Sequence, residues 1–312
     1  MIVSVEKAAG IIKKGELVAI PTETVYGLAA DAFNVNAVKN TFKQKGRPAD
    51  NPLIVHISST DQLELLTVFV SEAAKTIAES FWPGPLTIVI NKRVNVPDVI
   101  TGGLASVAVR MPEHPETLAL INKTGPLTAP SANMSGSPSA TRAVHIENDF
   151  GVDFPILEGQ APSLGIESTV LDIREEPFTI LRPGAVTAAM IESQTGFKVQ
   201  SSEKKLNSDK HSPGMRYTHY KPAAKVSVID EIPSELKSNI TYIFHSAETS
   251  ESGESVYNYK GDFNKLAHNL YDHFRQADYL GHSQIFIEKL PDDENSSILF
   301  ALKDRVSRAS NS

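Results

Sequence analysis

The 312-residue chain contains no cysteine. Disulfides, thiolate-held zinc and a cysteine nucleophile are therefore excluded, and nothing conflicts with a reducing compartment. No stretch approaches the roughly eighteen uninterrupted apolar residues of a membrane-spanning helix. The opening run, Met1-Ile2-Val3-Ser4-Val5-Glu6-Lys7, lacks the charged and apolar regions of a signal peptide. The expectation is a cytoplasmic protein with no membrane partner. A basic excess is also missing: 30 Lys and Arg face 37 Asp and Glu, a net charge of −7. That argues against a dedicated nucleic-acid binder but not against small anions focused by local cations. Neither G-x-x-x-x-G-K-[ST] nor a helix-opening G-x-G-x-x-G occurs. The nine histidines show no H-E-x-x-H or paired spacing, so no protein-held metal is expected. Ser131-Ala132-Asn133 and Lys123-Thr124-Gly125 echo the β-lactamase boxes in the wrong order. The S-x-x-K from Ser201 to Lys204 sits in a polar stretch, so that reading is set aside.

What is present is enough apolar residue, about two-fifths of the chain, for a sizeable core. Periodicity predicts a helix over 5–13 and a buried strand over 17–20, followed by a polar turn over 21–27. Asn36 is a candidate cap for a helix to about residue 44. Strands follow at 53–57, 86–90, 106–110, 155–157, 168–173, 178–181 and 197–200. Helices are expected at 71–81, 115–122 and 187–194. Alternating strands and helices, with several strands crowded late, predict an α/β domain with a mixed sheet. Residues 201–211 are polar and read as linker. Beyond them, strands at 225–229, 241–245 and 284–288, with helices at 263–280 and 297–307, form a small β/α unit. The division is 1–200, a linker or lid over 201–224, and 225–312. The linker carries Arg216, Tyr217, His219 and Tyr220, more than a flexible tether needs, so it reads either as an ordered connector or as a lid.

One run concentrates chemistry: Lys45-Gly46-Arg47-Pro48-Ala49-Asp50-Asn51-Pro52, then an apolar strand broken by His56. Residues before proline avoid the α region, so Arg47 and Asn51 are expected in extended geometry. In an extended chain residues two apart share a side, which lets Lys45 and Arg47 face one polyphosphate. His56 is either a buried structural histidine or a group that hydrogen-bonds substrate or moves a proton. Polar residues also gather at predicted strand ends, where open α/β sheets bind ligands: Thr22 and Thr24, Arg110, Ser131 and Asn133, Ser168 and Thr169, and Arg182. Arg110 and Arg182 each leave an apolar strand into a proline turn. Together these residues predict a cleft that collects carboxylate, carbonate or phosphate.

Lys45-x-Arg47 with Ser131-x-Asn133 resembles the signature of the YrdC-like family. Four more blocks match it: Pro21-Thr22-Glu23-Thr24-Val25-Tyr26-Gly27-Leu28, Phe81-Trp82-Pro83-Gly84-Pro85-Leu86-Thr87, Val109-Arg110-Met111-Pro112 and Glu167-Ser168-Thr169-Val170. His219-Tyr220-x-Pro222 and the small C-terminal unit resemble the two-domain branch, the threonylcarbamoyl-AMP synthases. The resemblance implies a twisted open mixed sheet plus a small Rossmann-like C-terminal domain. It also implies a nucleotidyltransferase reaction: L-threonine, bicarbonate and ATP give L-threonylcarbamoyladenylate and pyrophosphate. Mg2+ would accompany ATP. The product would pass to tRNA threonylcarbamoyl transferase machinery, with weak tRNA contact conceivable. By the same resemblance Thr24, His56, Arg110, Ser131 and Ser168 would hold threonine. Arg47, Asn51, Ser106, Asn133, Thr141, Arg182 and Tyr220 would hold ATP. Lys45 and Arg47 would be the catalytic cations. A tRNA- or double-stranded-RNA-binding module without catalysis is the alternative, disfavoured by the acidic balance. A domain of a metal-centre maturation enzyme would need zinc-finger regions that a cysteine-free chain cannot build.

Overall fold

A computed structural model describes residues 1–201, 220–246, 255–292 and 296–310. Most of the linker, His219 included, lies outside the described residues. The N-terminal part contains eleven strands: β1 (Ile2–Val3), β2 (Val18–Ile20), β3 (Gly27–Asp31), β4 (Ile54–His56), β5 (Leu86–Asn91), β6 (Ser106–Arg110), β7 (Leu127–Thr128), β8 (Ile156–Leu157), β9 (Thr169–Asp172), β10 (Phe178–Arg182) and β11 (Val199–Ser201). They form one open sheet in the order β1-β8-β2-β3-β7-β4-β6-β5-β9-β10-β11. Parallel and antiparallel neighbours mix: β4 runs parallel to β6, and β5 antiparallel to it. Seven helices accompany the sheet: α1 (Val5–Lys13), α2 (Val35–Lys45), α3 (Glu72–Phe81), α4 (Asp98–Thr101), α5 (Pro115–Thr124), α6 (Ala143–Phe150) and α7 (Ala188–Thr195).

The later part is β12 (Lys225–Ile229), β13 (Ile240–Phe244), β14 (Val256–Asn258), α8 (Phe263–Tyr279), β15 (Gln284–Glu288) and α9 (Ser297–Ser310). Its four strands among the described residues are all parallel, in the order β12-β15-β13-β14. Leu266, Leu270 and Phe274 of α8 and Leu299, Leu302 and Val306 of α9 pack with Val226, Ile243 and Ile285 into its own core. This is the expected architecture, a mixed sheet and a smaller Rossmann-like unit.

Strand alternation decides what faces the cleft. Val55, Ile88, Ile90, Val107, Val109 and Leu171 point into the main core. Their strand neighbours Ile54, Val89, Ala108 and Val170 form a separate apolar patch on the opposite face. His56 and Arg110 belong to that second face and are register partners across β4 and β6.

Two local expectations change, and one helix, α6, was not among those expected. The helix cap is Asn34, not Asn36: Asn34 Oδ1 accepts from the backbone N–H of Asn36 and Ala37, both at 3.1 Å. Both asparagines suit a cap, and the chain leaves extended geometry at the first one. Residues 21–27 are not a plain turn, because Gly27 already opens β3, which pairs antiparallel with β2. Helix α6 had no strong periodic signal. It is only eight residues long, with just His145 and Ile146 buried.

Candidate functional site: an arginine-lined cleft

The hydroxyl-bearing loop between β2 and β3 is held by its own side chains. Thr22 Oγ1 lies 2.8 Å from Thr24 Oγ1 and donates to Val25 O at 2.6 Å. Both threonines are buried, and both line a cleft on the second face of the sheet. The cleft contains about 610 Å³ of empty space, counting its open mouth. His56, Arg110, Ser131, Ser168, Arg182, Arg47 and Tyr220 line it too. The structure therefore brings together all five residues expected at threonine and three of those expected at ATP.

Arg110 ends β6 with its guanidinium set among three protein groups. Its Nε donates to Gly84 O at 3.1 Å and Nη1 to Thr24 Oγ1 at 2.9 Å, while Nη2 meets Glu23 Oε1 at 2.6 Å. Glu23 was missed from the sequence. It was the one carboxylate inside a run of hydroxyl and apolar residues entering a buried strand, and that was the available signal. Burial, and then the Arg110 charge, push the His56 pKa down to about 3. His56 is thus neutral at physiological pH, suited to hydrogen bonding rather than to neutralising an anion.

Arg182 reaches the cleft through a bulge. Phe178 and Ile180 of β10 point into the main core, and Leu181 packs on the apolar patch of the other face. Strict alternation would send Arg182 back into the core. The register with β9 shifts between Ile180 and Arg182, re-aiming the guanidinium. It then donates to Ser168 O at 3.1 and 3.0 Å and to Ser168 Oγ at 3.1 Å. Ser168 Oγ also lies 2.8 Å from Thr87 Oγ1. Burial lowers the Arg182 pKa, but an arginine stays charged.

Lys45 departs from expectation. It is the last residue of α2, and Gly46 turns the chain away in the left-handed region, at φ +60°. Lys45 and Arg47 therefore do not share a side. The Lys45 ammonium is buried against the carbonyls of Ser131 and Asn133, the latter at 2.5 Å. Burial, then Arg47, hold its pKa well below the usual lysine value. Arg47, by contrast, faces the cleft, with Nη2 3.0 Å from Pro52 O.

Asn51, Ser106, Asn133 and Thr141 are buried but do not line the cleft in this form. Asn133 spends its amide N–H groups on Met134 O at 2.7 Å and Ser137 O at 2.9 Å, stiffening the loop that begins at Ser131. Asn133 Oδ1 and Thr141 Oγ1 are buried and have no partner among the described residues. Ser106 shares the cleft face with Ala108 and Arg110 by alternation, about 13 Å along the strand from Arg110. Glu167 lines the cleft beside Ser168; burial pushes its pKa up, but Arg305 and then Arg182, with hydrogen bonds, outweigh this and hold it at about 2. Its partners Tyr271 and Arg305 come from the C-terminal unit, whose sequence carried no signal for them. No group of three or more acidic or histidine side chains among the described residues is placed to hold a metal ion.

Three arginines and four Thr and Ser hydroxyls in one hollow of an α/β sheet are suited to gathering anionic groups. Comparison with known proteins narrows the class. The Sua5/YciO/YrdC family, described as "Telomere recombination", matches residues 10–184, and the C-terminal domain of threonylcarbamoyl-AMP synthase matches 186–311. A threonylcarbamoyl-AMP synthase of Pyrococcus abyssi is 43% identical over 97% of this chain and 93% of its own. One from Bacillus subtilis is 38% identical over 98% and 92%. A crystal structure of P. abyssi Sua5 complexed with L-threonine superposes with a TM-score of 0.88 at 39% identity, covering 100% of this chain and 98% of that one. The chain belongs to the threonylcarbamoyl-AMP synthase family.

Proposed function

We propose that the cleft joins L-threonine, bicarbonate and ATP into L-threonylcarbamoyladenylate and releases pyrophosphate. The observation that carries this reading is the convergence of Arg47, Arg110 and Arg182 on one hollow whose apolar lining includes Val25, Leu53 and Ile54. The P. abyssi relative bound to L-threonine supports the amino-acid half.

Arg110 takes the threonine carboxylate, competing with Glu23 for its fork, and Thr24, His56, Ser131 and Ser168 surround the rest. Arg47, Arg182 and Tyr220 face the nucleotide, with Asn51, Ser106, Asn133 and Thr141 behind them. Lys45 serves the reaction indirectly, by shaping the Ser131–Asn133 backbone. The threonine amine attacks bicarbonate with loss of water to form a carbamate. A carbamate oxygen then attacks the ATP α-phosphorus, and the bond to pyrophosphate breaks. Positioning and charge stabilisation dominate such a displacement, so no covalent protein intermediate is needed. The carboxylates at the cleft, Glu23 and Glu167, are both taken by arginines. They do not make a metal nest, so Mg2+ enters as part of the ATP substrate, on its phosphate oxygens. The product passes to tRNA threonylcarbamoyl transferase machinery in the cytoplasm, and any tRNA contact of this chain is weak. No helix among the described residues is long and apolar enough to cross a membrane.

The test is pyrophosphate release from ATP with threonine and bicarbonate each withheld in turn. Release that needs both is the expected result. RNA binding with no turnover under any condition would replace this reading with that of a binding module.

A further inference from the structure

Arg305 on α9 is completely buried, an expensive place for a guanidinium unless every contact is satisfied. Its contacts with the N-terminal part all reach the cleft wall. Nε donates to Glu167 Oε2 at 2.8 Å and Nη2 to Pro183 O at 3.0 Å, next to Ser168 and Arg182 respectively. Its guanidinium carbon lies 5.2 Å from the ring centre of Tyr220. Tyr271 on α8 repeats the pattern: its hydroxyl donates to Glu167 Oε2 at 3.0 Å, and its ring stacks on Tyr220 at 5.4 Å. The other oxygen of Glu167 accepts from Ser139, in the loop that carries Asn133 and Thr141. One carboxylate thus ties β9, that loop, α8 and α9 together. Tyr220 itself sits at φ +68°, a left-handed conformation costly for a tyrosine, which the two stacked groups help to hold.

The same loop is gripped a second time from α8. Arg275 donates to Pro138 O at 3.1 and 2.6 Å and forks onto Asp149 at 3.0 and 2.8 Å. Asp149 Oδ2 in turn accepts the Met134 N–H at 3.2 Å. Beside the C-terminal attachments stand Arg182, Tyr220, Asn133 and Thr141 of the nucleotide set, with Ser168 of the threonine set. The Arg110–Glu23–Thr24 cluster touches neither Arg305 nor Tyr271 nor Arg275.

We propose that the C-terminal unit is a brace for the nucleotide half of the cleft, with Arg305 and Tyr271 as positioning residues that act through Glu167 and Tyr220. This rests on the reading above, in which that half receives ATP. Neither residue reacts. Each fixes a wall against which the nucleotide is oriented, so its loss weakens ATP more than threonine.

The experiment uses the full chain and the variants Tyr271→Phe, Arg305→Lys and, as a control on the same helix, Lys303→Gln, whose ammonium pairs with exposed Asp292. Pyrophosphate release yields KM for ATP, KM for threonine and kcat, and thermal melts report folding. Expected are a rise of about threefold or more in the ATP KM for Tyr271→Phe and about tenfold for Arg305→Lys. The threonine KM stays within about twofold, and the control matches the wild type. If Arg305→Lys does not fold, Tyr271→Phe decides, because it keeps the ring stack and removes only the hydroxyl. A lower melting temperature with both KM values unchanged would overturn the proposal, reducing the contacts to interface stability. Equal rises in both KM values would overturn it as well. A wild-type chain that releases no pyrophosphate fails the underlying synthase reading, and this inference with it.

Discussion

Arg110 and Glu23 form a buried ion pair at 2.6 Å inside the cleft, so the guanidinium expected to bind a substrate carboxylate already holds one of the protein's own. On the proposed reading, threonine binds by adjusting an existing pair rather than by filling an empty cationic pocket. The pair keeps a desolvated arginine compensated while the site is free.

Breaking that pair separates its two roles. Arg110→Gln leaves Glu23 buried without its partner and should cost about 3–5 kcal/mol of stability. The double variant Arg110→Gln/Glu23→Gln should recover at least half of that loss in denaturant melts, while threonine binding measured by calorimetry stays undetectable in both. Restored threonine binding in the double variant would show that Arg110 does not hold the carboxylate.

Lys45→Met tests the role found for this lysine. Two buried carbonyls, of Ser131 and Asn133, would lose their donor, at about 1–3 kcal/mol each. The melting temperature should fall and the ATP KM should rise through displacement of the loop. An ATP KM lost with no change in stability would instead mean direct phosphate contact.

Acid should unfold the protein through its histidines. The native pKa of His56 is about 3 and that of His273 about 4, against an ordinary value near 6.5. Between those limits the unfolded chain binds more protons than the native one, so stability rises with pH through the window and levels off above about 6.5. Each histidine adds a slope of at most about 1.4 kcal/mol per pH unit. Glu167, held near 2, adds a further loss only as pH falls below about 4.5. Urea melts from pH 4 to 8 check this, and His56→Gln should flatten the curve between pH 4 and 6.

Gly165 lies where the loop before β9 meets α8. Its φ is +78°, and a Cβ there would sit 2.4 Å from His268 Cα and 2.5 Å from His268 O, both backbone atoms that cannot yield cheaply. Gly165→Ala should lower the melting temperature by several degrees and loosen α8 from the cleft, read as faster amide exchange across 266–277. Gly10→Ala, inside α1 with nothing within 4 Å, is the contrast and should instead stabilise by about 1 kcal/mol.

Much of the site was legible in the chain because strand ends announce themselves. An apolar run ending in Arg before Pro, as at Arg110 and Arg182, or in His56, marks a polar group delivered to one edge of a buried strand. The Lys45–Arg47 pair misled, because the extended geometry inferred from Pro48 does not run back across Gly46 into α2. A left-handed glycine between them made one residue a loop anchor and left the other in the cleft. Glu23 could be seen but not placed, since its partner stands eighty-seven positions away in the chain.

Local order in the residues was sufficient for most of the longer elements, the two-part layout and the chemical character of the site, but not for short elements such as β3, α4, β7 and α6. Those properties depend on neighbours within a few positions. The β10 bulge that turns Arg182 outward, the Arg110–Glu23 pair and the meeting of Ser139, Tyr271 and Arg305 on Glu167 depend on segments up to 166 residues apart. Only packing the two sheets' helices against each other fixes such distances, because a charge's partner is chosen by where burial leaves it, not by its place in the chain.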